Sequence, residues 1–378
     1  MQTLYSLEQC RKSDLGLAED QIKENFQPNL NTMDFQDPDL LKKKTDEALK
    51  IFRENYQGRS VSHISAAREE VLASVQSALN LYHSKYENDF RFFKDHMVEE
   101  AEKIFNNSLK VLSFVIHFSE LVLIEEEERK NSFTRKNQLV SKSAFNLPNN
   151  KVLSELRSRI KTKNAELSDD EKADCREIYK KVLKKDEEYQ KYISIESPSF
   201  DEDKDILLHI IKAILFKNEA FVGYMDSIDI AWTENNAIIK SMSLKSIKLI
   251  TEENLGSDEL AELSLNWEDD KAFFKNLFEM TYENGLEYEE MIAQNSQNWT
   301  AERITNLDMI ILKMAISEMV HFKSIPIKVT INEYLELAKK YSTPKSKKFI
   351  NGILDVMAVS LSDKGMIKKS GRGLIDNK

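Results

Sequence analysis

The sequence predicts an all-α protein, and three features point there. Glycine and proline are scarce, at nine and six in 378 residues, which leaves few of the turns that sheets need. Lys, Glu, Leu and Ile are abundant, as long helices require. In residues 303–361 the apolar residues recur at steps of three and four. With 41% hydrophobic residues the chain can bury a real core, and its length allows one large or two ordinary domains.

The first ten residues, MQTLYSLEQC, read as a helix already under way, with Leu4 and Leu7 facing inward. Residues 11–45 are polar and hold Pro28 and Pro38 among Asn and Asp, so the pattern there predicts a loop or linker. From Pro38 to Arg129 the helical period returns, through Phe52, Val71, Val75, Leu79 and Tyr82. Phe90, Phe92 and Phe93 read as packing anchors, since Asp89 and Asp95 flank them where a base-stacking platform would carry a basic groove. Leu109 to Leu123 form a strongly apolar helix, and Glu125 to Glu128 close it as a solvated charge run. Residues 130–150 are polar. Two amphipathic helices follow near 150–165 and 169–192, the second opened by Ser168 and Glu171 at capping-box spacing.

Residues 202–250 and 269–317 look related at a constant offset of 67 without a gap. Asp203-Lys204 pairs with Asp270-Lys271, Ile210-Ile211 with Leu277-Phe278, and Trp232-Thr233 with Trp299-Thr300. A repeated supersecondary unit of this kind stacks on its neighbour to share a core.

Residues 303–361 then carry three helices joined by proline-bearing loops. The first presents Ile304, Leu307, Ile311, Met314 and Glu318 on one stripe, widened by Ile310 and Ala315. Pro326 breaks it. Thr330 with Glu333 predicts the start of the second helix. Ser342 or Thr343 caps the third, Pro344 sits in its first turn, and Phe349, Ile350, Ile353, Leu354 and Met357 run along its inner face.

This stretch resembles the C-terminal half of the NusB family of transcription antitermination factors. The matching residues are Leu307-Asp308, Ile311 to Ala315 with Glu318, Ile325 to Val329, Ile331-Asn332-Glu333, Glu336 to Lys339, and Ser346 with Lys348 to Asp355. The resemblance implies a NusB-type helical bundle with an inserted N-terminal helical region. Its expected divisions are the first NusB helix at 1–12, apparently truncated, a helical insertion at 13–262 containing the repeat unit 202–250, the domain core at 263–362, and a flexible basic tail at 363–378. The Gly-Arg-Gly-Leu at 371–374 is also seen in the long form of the family. An arginine-rich segment normally precedes the first helix. Either it lies upstream of Met1 or this member lacks it; the uncapped first helix favours the former.

For function, the resemblance implies an adaptor that binds a boxA-type RNA element together with the ribosomal protein NusE. It would join the RNA polymerase antitermination complex during ribosomal RNA transcription. Gln2 and Tyr5, with Lys348 and Phe349, match the family's RNA-contacting positions, and Asp308 matches a position on its protein interface. Lys345 and Lys347 extend the basic start of the last helix, where free amides and the helix dipole favour phosphate.

Charge supports and qualifies this. The net charge is −10, which argues against an RNA-coating protein. From Lys323 onward, however, twelve Lys or Arg face five acids, a local net of +7. The alternative is a helical protein-binding scaffold that has lost RNA recognition. Catalytic signatures are absent: there is no phosphate loop and no HExxH, and no βαβ pattern that would take the chain toward the RNA methyltransferases carrying a NusB-like domain. Asp201-x-Asp203-x-Asp205 opens like a calcium loop but has Ile206 where glycine is needed and Lys212 where glutamate is needed. No metal or cofactor is expected. Cys10 and Cys175 build no disulfide framework and suit a reducing cytoplasm. The longest apolar run, Val111 to Ile124, is broken by Ser113, His117, Ser119 and Glu120, so no membrane span is expected.

Overall fold

Fifteen α-helices account for nearly all the regular structure in a computed structural model that describes residues 1–31, 35–58, 60–61, 68–132, 141–163, 165–295 and 304–377. Among these residues there is no strand. In order they are α1 (Gln2–Asn25), α2 (Pro38–Asn55), α3 (Glu69–Asn131), α4 (Asn146–Asn149), α5 (Lys151–Ile160), α6 (Asp169–Lys181), α7 (Glu187–Tyr192) and α8 (Phe200–His209). The π-helical turn Ile210–Leu215 continues α8. Next come α9 (Glu219–Ile228), α10 (Trp232–Lys248), α11 (Trp267–Glu283), α12 (Gly285–Asn295), α13 (Asn306–His321), α14 (Ile327–Tyr341) and α15 (Pro344–Asp363).

The chain divides into two compact units, one of residues 1–98 with 268–378 and the other of residues 99–267. In the first, α13 is the central element. Side chains from Ile310 through Met319 are buried without interruption, so the helix is covered on every side rather than along one stripe. Helices α1, α12, α14 and α15 pack around it, with Leu4, Leu7, Tyr288, Tyr334 and Ile350 in the shared core. A second cluster, of Ala18, Ile22, Phe52, Val75 and Leu79, joins α1, α2 and the start of α3. Phe90 belongs to the α13 core, stacked at 5.4 Å on Phe278, while Phe92 remains exposed.

The second unit is built on Leu109 to Val122, whose apolar side chains pack against α5, α6, α8 and α10. By length and composition α3 could cross a membrane, but 72% of its apolar window is buried inside the fold. Ser168 and Glu171 form the expected capping box on α6. Asp203, in the calcium-like run, is buried and already committed. It accepts from Tyr192 Oη at 2.6 Å and from the Lys151 amide at 2.8 Å.

Four expectations need correction. The loop expected over 11–45 is shorter: α1 continues past residue 12 to Asn25, and Asp37 caps α2 at Pro38. The apolar signal there is thin because α1 buries only about one residue per turn beyond Leu7, and one of these is Asp14. The stretch 13–262 does not form one body, since residues 13–98 cluster with the C-terminal helices. Thr330 does not open α14; the helix starts at Ile327, and Thr330 is buried within it with its hydroxyl toward Pro326 O at 3.4 Å. Finally, the tail is docked where a flexible segment was expected. The Ser370 amide donates to Lys323 O at 3.0 Å, Lys369 Nζ donates to Phe322 O at 2.9 Å, and Gly373 lies against the Lys323 carbonyl.

The 67-residue offset carries α8 and α9 onto α11 and α12. Phe200–Leu215 shifted by 67 becomes 267–282, against Trp267–Glu283 for α11. Glu219–Ile228 becomes 286–295, against Gly285–Asn295 for α12. The pairs Ile210/Leu277, Ile211/Phe278, Phe221/Tyr288, Met225/Ile292 and Ile247/Met314 are all buried. The third helix does not keep the offset: Trp232–Lys248 shifted by 67 becomes 299–315, against Asn306–His321 for α13. Trp299 and Thr300 lie outside the described residues.

Candidate nucleic-acid interface

The start of α15 is shaped by its cap. Thr343 Oγ1 accepts from the Ser346 amide at 3.2 Å, and Pro344 takes the first helical position, where its missing N–H costs nothing. Lys345 and Lys348 are exposed, one helical turn apart, and neither has an ion pair among the described residues. Lys347 points back toward α14, with Nζ 3.6 Å from Glu336 Oε1. Glu336 is held below its ordinary value first by the hydrogen bond from Lys339 and secondarily by Lys347, so Lys347 shares an acid that already serves Lys339.

Gln2 and Tyr5 lie on the first turns of α1, Gln2 exposed and Tyr5 at 41% exposure, available to solvent. Both α1 and α15 pack against α13, which therefore supports both groups of expected RNA-facing residues.

Two expected site residues sit elsewhere. Phe349 is only 8% exposed and belongs to the α13 core, so its ring is a packing group here and not an open stacking surface. The helical period explains this, because Phe349 shares a face with Ile353 and Met357. Asp308 is 3% exposed and presents no carboxylate to a protein partner. Its Oδ1 accepts from Ser342 Oγ at 2.6 Å and its Oδ2 from Ser346 Oγ at 2.9 Å. Its amide donates to the Thr305 cap at 3.1 Å. Asp308 thus ties the first turn of α13 to the α14–α15 turn.

Two polar groups of the same unit escaped the sequence reading. Lys313, 6% exposed, is paired with Glu289 and lies 3.9 Å from Glu8. Arg11 donates to Tyr82 Oη at 3.3 Å and lies over the Tyr86 ring at 5.8 Å. Both line a cavity of about 180 Å³ beside Leu4 and Leu7. Only a cation on an otherwise apolar helix could have signalled Lys313, and periodicity treats such a residue as an exposed one. A wider apolar groove, about 990 Å³, runs between α11, α13, α14 and the docked tail. Glu318 lies at its floor and accepts from Tyr334 Oη at 3.1 Å. Burial pushes the Glu318 carboxyl up, against the hydrogen bonds from Thr330 and Tyr334.

Comparison with known proteins places the segment that carries α11 to α15. A sequence model of the NusB family matches residues 236–358. The transcription antitermination protein NusB of Bacillus velezensis is 35% identical over 115 residues, which are 30% of this chain and 88% of that protein. The chain belongs to the NusB family. The NusB of Salinibacter ruber is 41% identical over 105 residues, 28% of this chain and 66% of its own length. That of Chloroherpeton thalassium is 41% identical over 106 residues, 28% of this chain and 50% of its own. The chain thus spans between half and two thirds of these last two NusB proteins. The family match begins at Asn236 in α10 and closes at Ala358 in α15, and so includes Asp308 and the three α15 lysines.

Proposed function

We propose that this NusB-family chain is a transcription antitermination factor, a binding protein and not an enzyme. In this reading it binds boxA-type RNA together with ribosomal protein NusE and acts within an RNA polymerase antitermination complex in the cytoplasm, supporting ribosomal RNA transcription. The observation that carries the proposal is the exposed pair Lys345 and Lys348 at the capped start of α15, inside the family-matched segment. Two ammonium groups without an internal acid, beside a helix N-terminus, suit a phosphate backbone. Gln2 and Tyr5 on α1 offer a hydrogen-bonding group and a half-open ring suited to an unstacked base.

The proposed RNA face is Gln2, Tyr5, Lys345 and Lys348, with Lys347 in a lesser role because it turns toward Glu336. The partner surface shifts away from Asp308. The apolar groove over Leu337, Val329 and Ile325 is a more suitable place for a protein such as NusE.

The burial of Phe349 favours a second reading, a helical scaffold that binds proteins without RNA. Titration of a fluorescent boxA-type RNA into the chain, with and without NusE, separates the two. Antitermination requires RNA binding that strengthens with NusE; binding to NusE alone supports the scaffold.

A further inference from the structure

We infer that Asp308 is a positioning residue for the RNA face, acting through the α15 lysines and touching no ligand itself. The inference rests on the reading of Lys345 and Lys348 as phosphate contacts. It starts from an unusual placement: a carboxylate 3% exposed, whose two oxygens accept from two hydroxyls on either side of the α14–α15 turn, Ser342 at 2.6 Å and Ser346 at 2.9 Å.

Ser346 is the third residue of α15, between Lys345 and Lys347. Its hydroxyl is also 2.9 Å from Thr343 Oγ1, and its amide is held by the same Thr343 side chain. The first turn of α15 is therefore fixed at both ends of one residue, by the helix cap on its backbone and by Asp308 on its side chain. Asp308 is fixed in turn, because its amide is bonded to the Thr305 cap of α13. The bonds run from the most deeply buried helix of the unit to the turn that presents Lys345 and Lys348 to solvent.

The physical consequence concerns direction. A lysine ammonium on a flexible stem contributes more to a phosphate contact when the backbone carrying it is held, since each ordering event on binding subtracts from affinity. Without the carboxylate the turn keeps its Thr343 cap and the packing of Phe349 but loses its hydrogen bonds to α13, and Lys345 and Lys348 sample more orientations. The charge opposite the RNA changes in the contrary sense, because removing an acid should favour an anionic ligand. A positioning role therefore predicts weaker RNA binding from a substitution that raises net positive charge.

The test is a double-mutant cycle on the full chain, read by titration with a single-stranded boxA-type RNA oligonucleotide. Asp308→Ala is expected to lower affinity about tenfold, the scale of one or two displaced phosphate contacts. In a Lys345→Ala/Lys348→Ala background the same substitution should change nothing further. Ser346→Ala, a gentler lesion that preserves Asp308 and its bond to Ser342, should reproduce part of the loss and covers the case in which Asp308→Ala does not fold. Equal losses in both backgrounds, or tighter binding by Asp308→Ala, overturn the inference. If the lysine variant binds like the original chain, the RNA-face reading falls and this inference with it. If only the lysine variant loses affinity, the inference alone falls.

Discussion

Ser346 Oγ lies 2.9 Å from Asp308 Oδ2, and this contact fastens the first turn of α15 to the first turn of α13. Both residues are buried. Replacing Asp308 with alanine removes an acceptor from the half-buried Ser342 hydroxyl and from the buried Ser346 hydroxyl, which keeps only Thr343 Oγ1, at about 1–3 kcal/mol for loss of a buried polar partner. Urea unfolding should show a lower midpoint for Asp308→Ala, with Asp308→Asn intermediate because its amide oxygen still accepts one hydroxyl.

Glu318 gives a pH dependence with a definite sign. Burial raises its carboxyl in the folded state above the ordinary glutamate value, so folding favours the protonated form. Its stabilising contribution is complete below the unfolded value, about 4.3, and is lost as pH rises through the higher folded value. Glu318→Gln, which keeps an acceptor for Tyr334 Oη, should flatten the fall in stability between mildly acidic and neutral pH. A series of thermal midpoints from pH 5 to 8 checks this; identical slopes for the two proteins would contradict it.

Arg159 anchors the second unit. Its side chain is fully buried and donates to Glu155 Oε1 at 2.9 Å, to Glu259 O at 2.8 Å and to Asn254 O at 2.9 Å. Removing one partner of a buried charged network costs about 3–5 kcal/mol. Arg159→Ala should lower unfolding stability on that scale. Arg159→Lys should recover little, since an ammonium cannot match three acceptors spread around a planar fork.

Gly373 tests the docked tail. A Cβ at this position would stand 2.1 Å from the Lys323 carbonyl oxygen, a backbone atom that cannot move aside cheaply. Gly373→Ala should release the tail while leaving the helices folded. Amide exchange at Ser370 should speed up, with the α13 amides unchanged.

The capped helices were legible because their residues obey one rule at a time. The Thr343–Pro344 cap, the face of Phe349, Ile353 and Met357, and the Ser168–Glu171 box each follow from a spacing, and each is found where that spacing puts it. The α1–α2 region was missed because its core contacts are few per turn, and Asp14 occupies one of them. Spacing puts Phe349 on the inner face, against the RNA-contacting role the resemblance implies, but it does not reveal the burial of Asp308. An acid in the first turn of a helix reads as solvated, and only the distant Ser342 and Ser346 make it a buried acceptor. Lys347 was grouped with its neighbours because charge counts carry no direction, and its partner Glu336 sits on another helix.

The central claim is that Lys345 and Lys348 meet RNA phosphates, and the salt dependence of binding tests it most directly. Affinity for a single-stranded boxA-type oligonucleotide should be measured from low to physiological salt, for the chain and for its Lys345→Ala/Lys348→Ala variant. The claim predicts weaker binding by the variant and a log–log slope smaller by about 1.4, since each single-strand phosphate contact contributes about 0.7. Superimposable salt plots for the two proteins would contradict it.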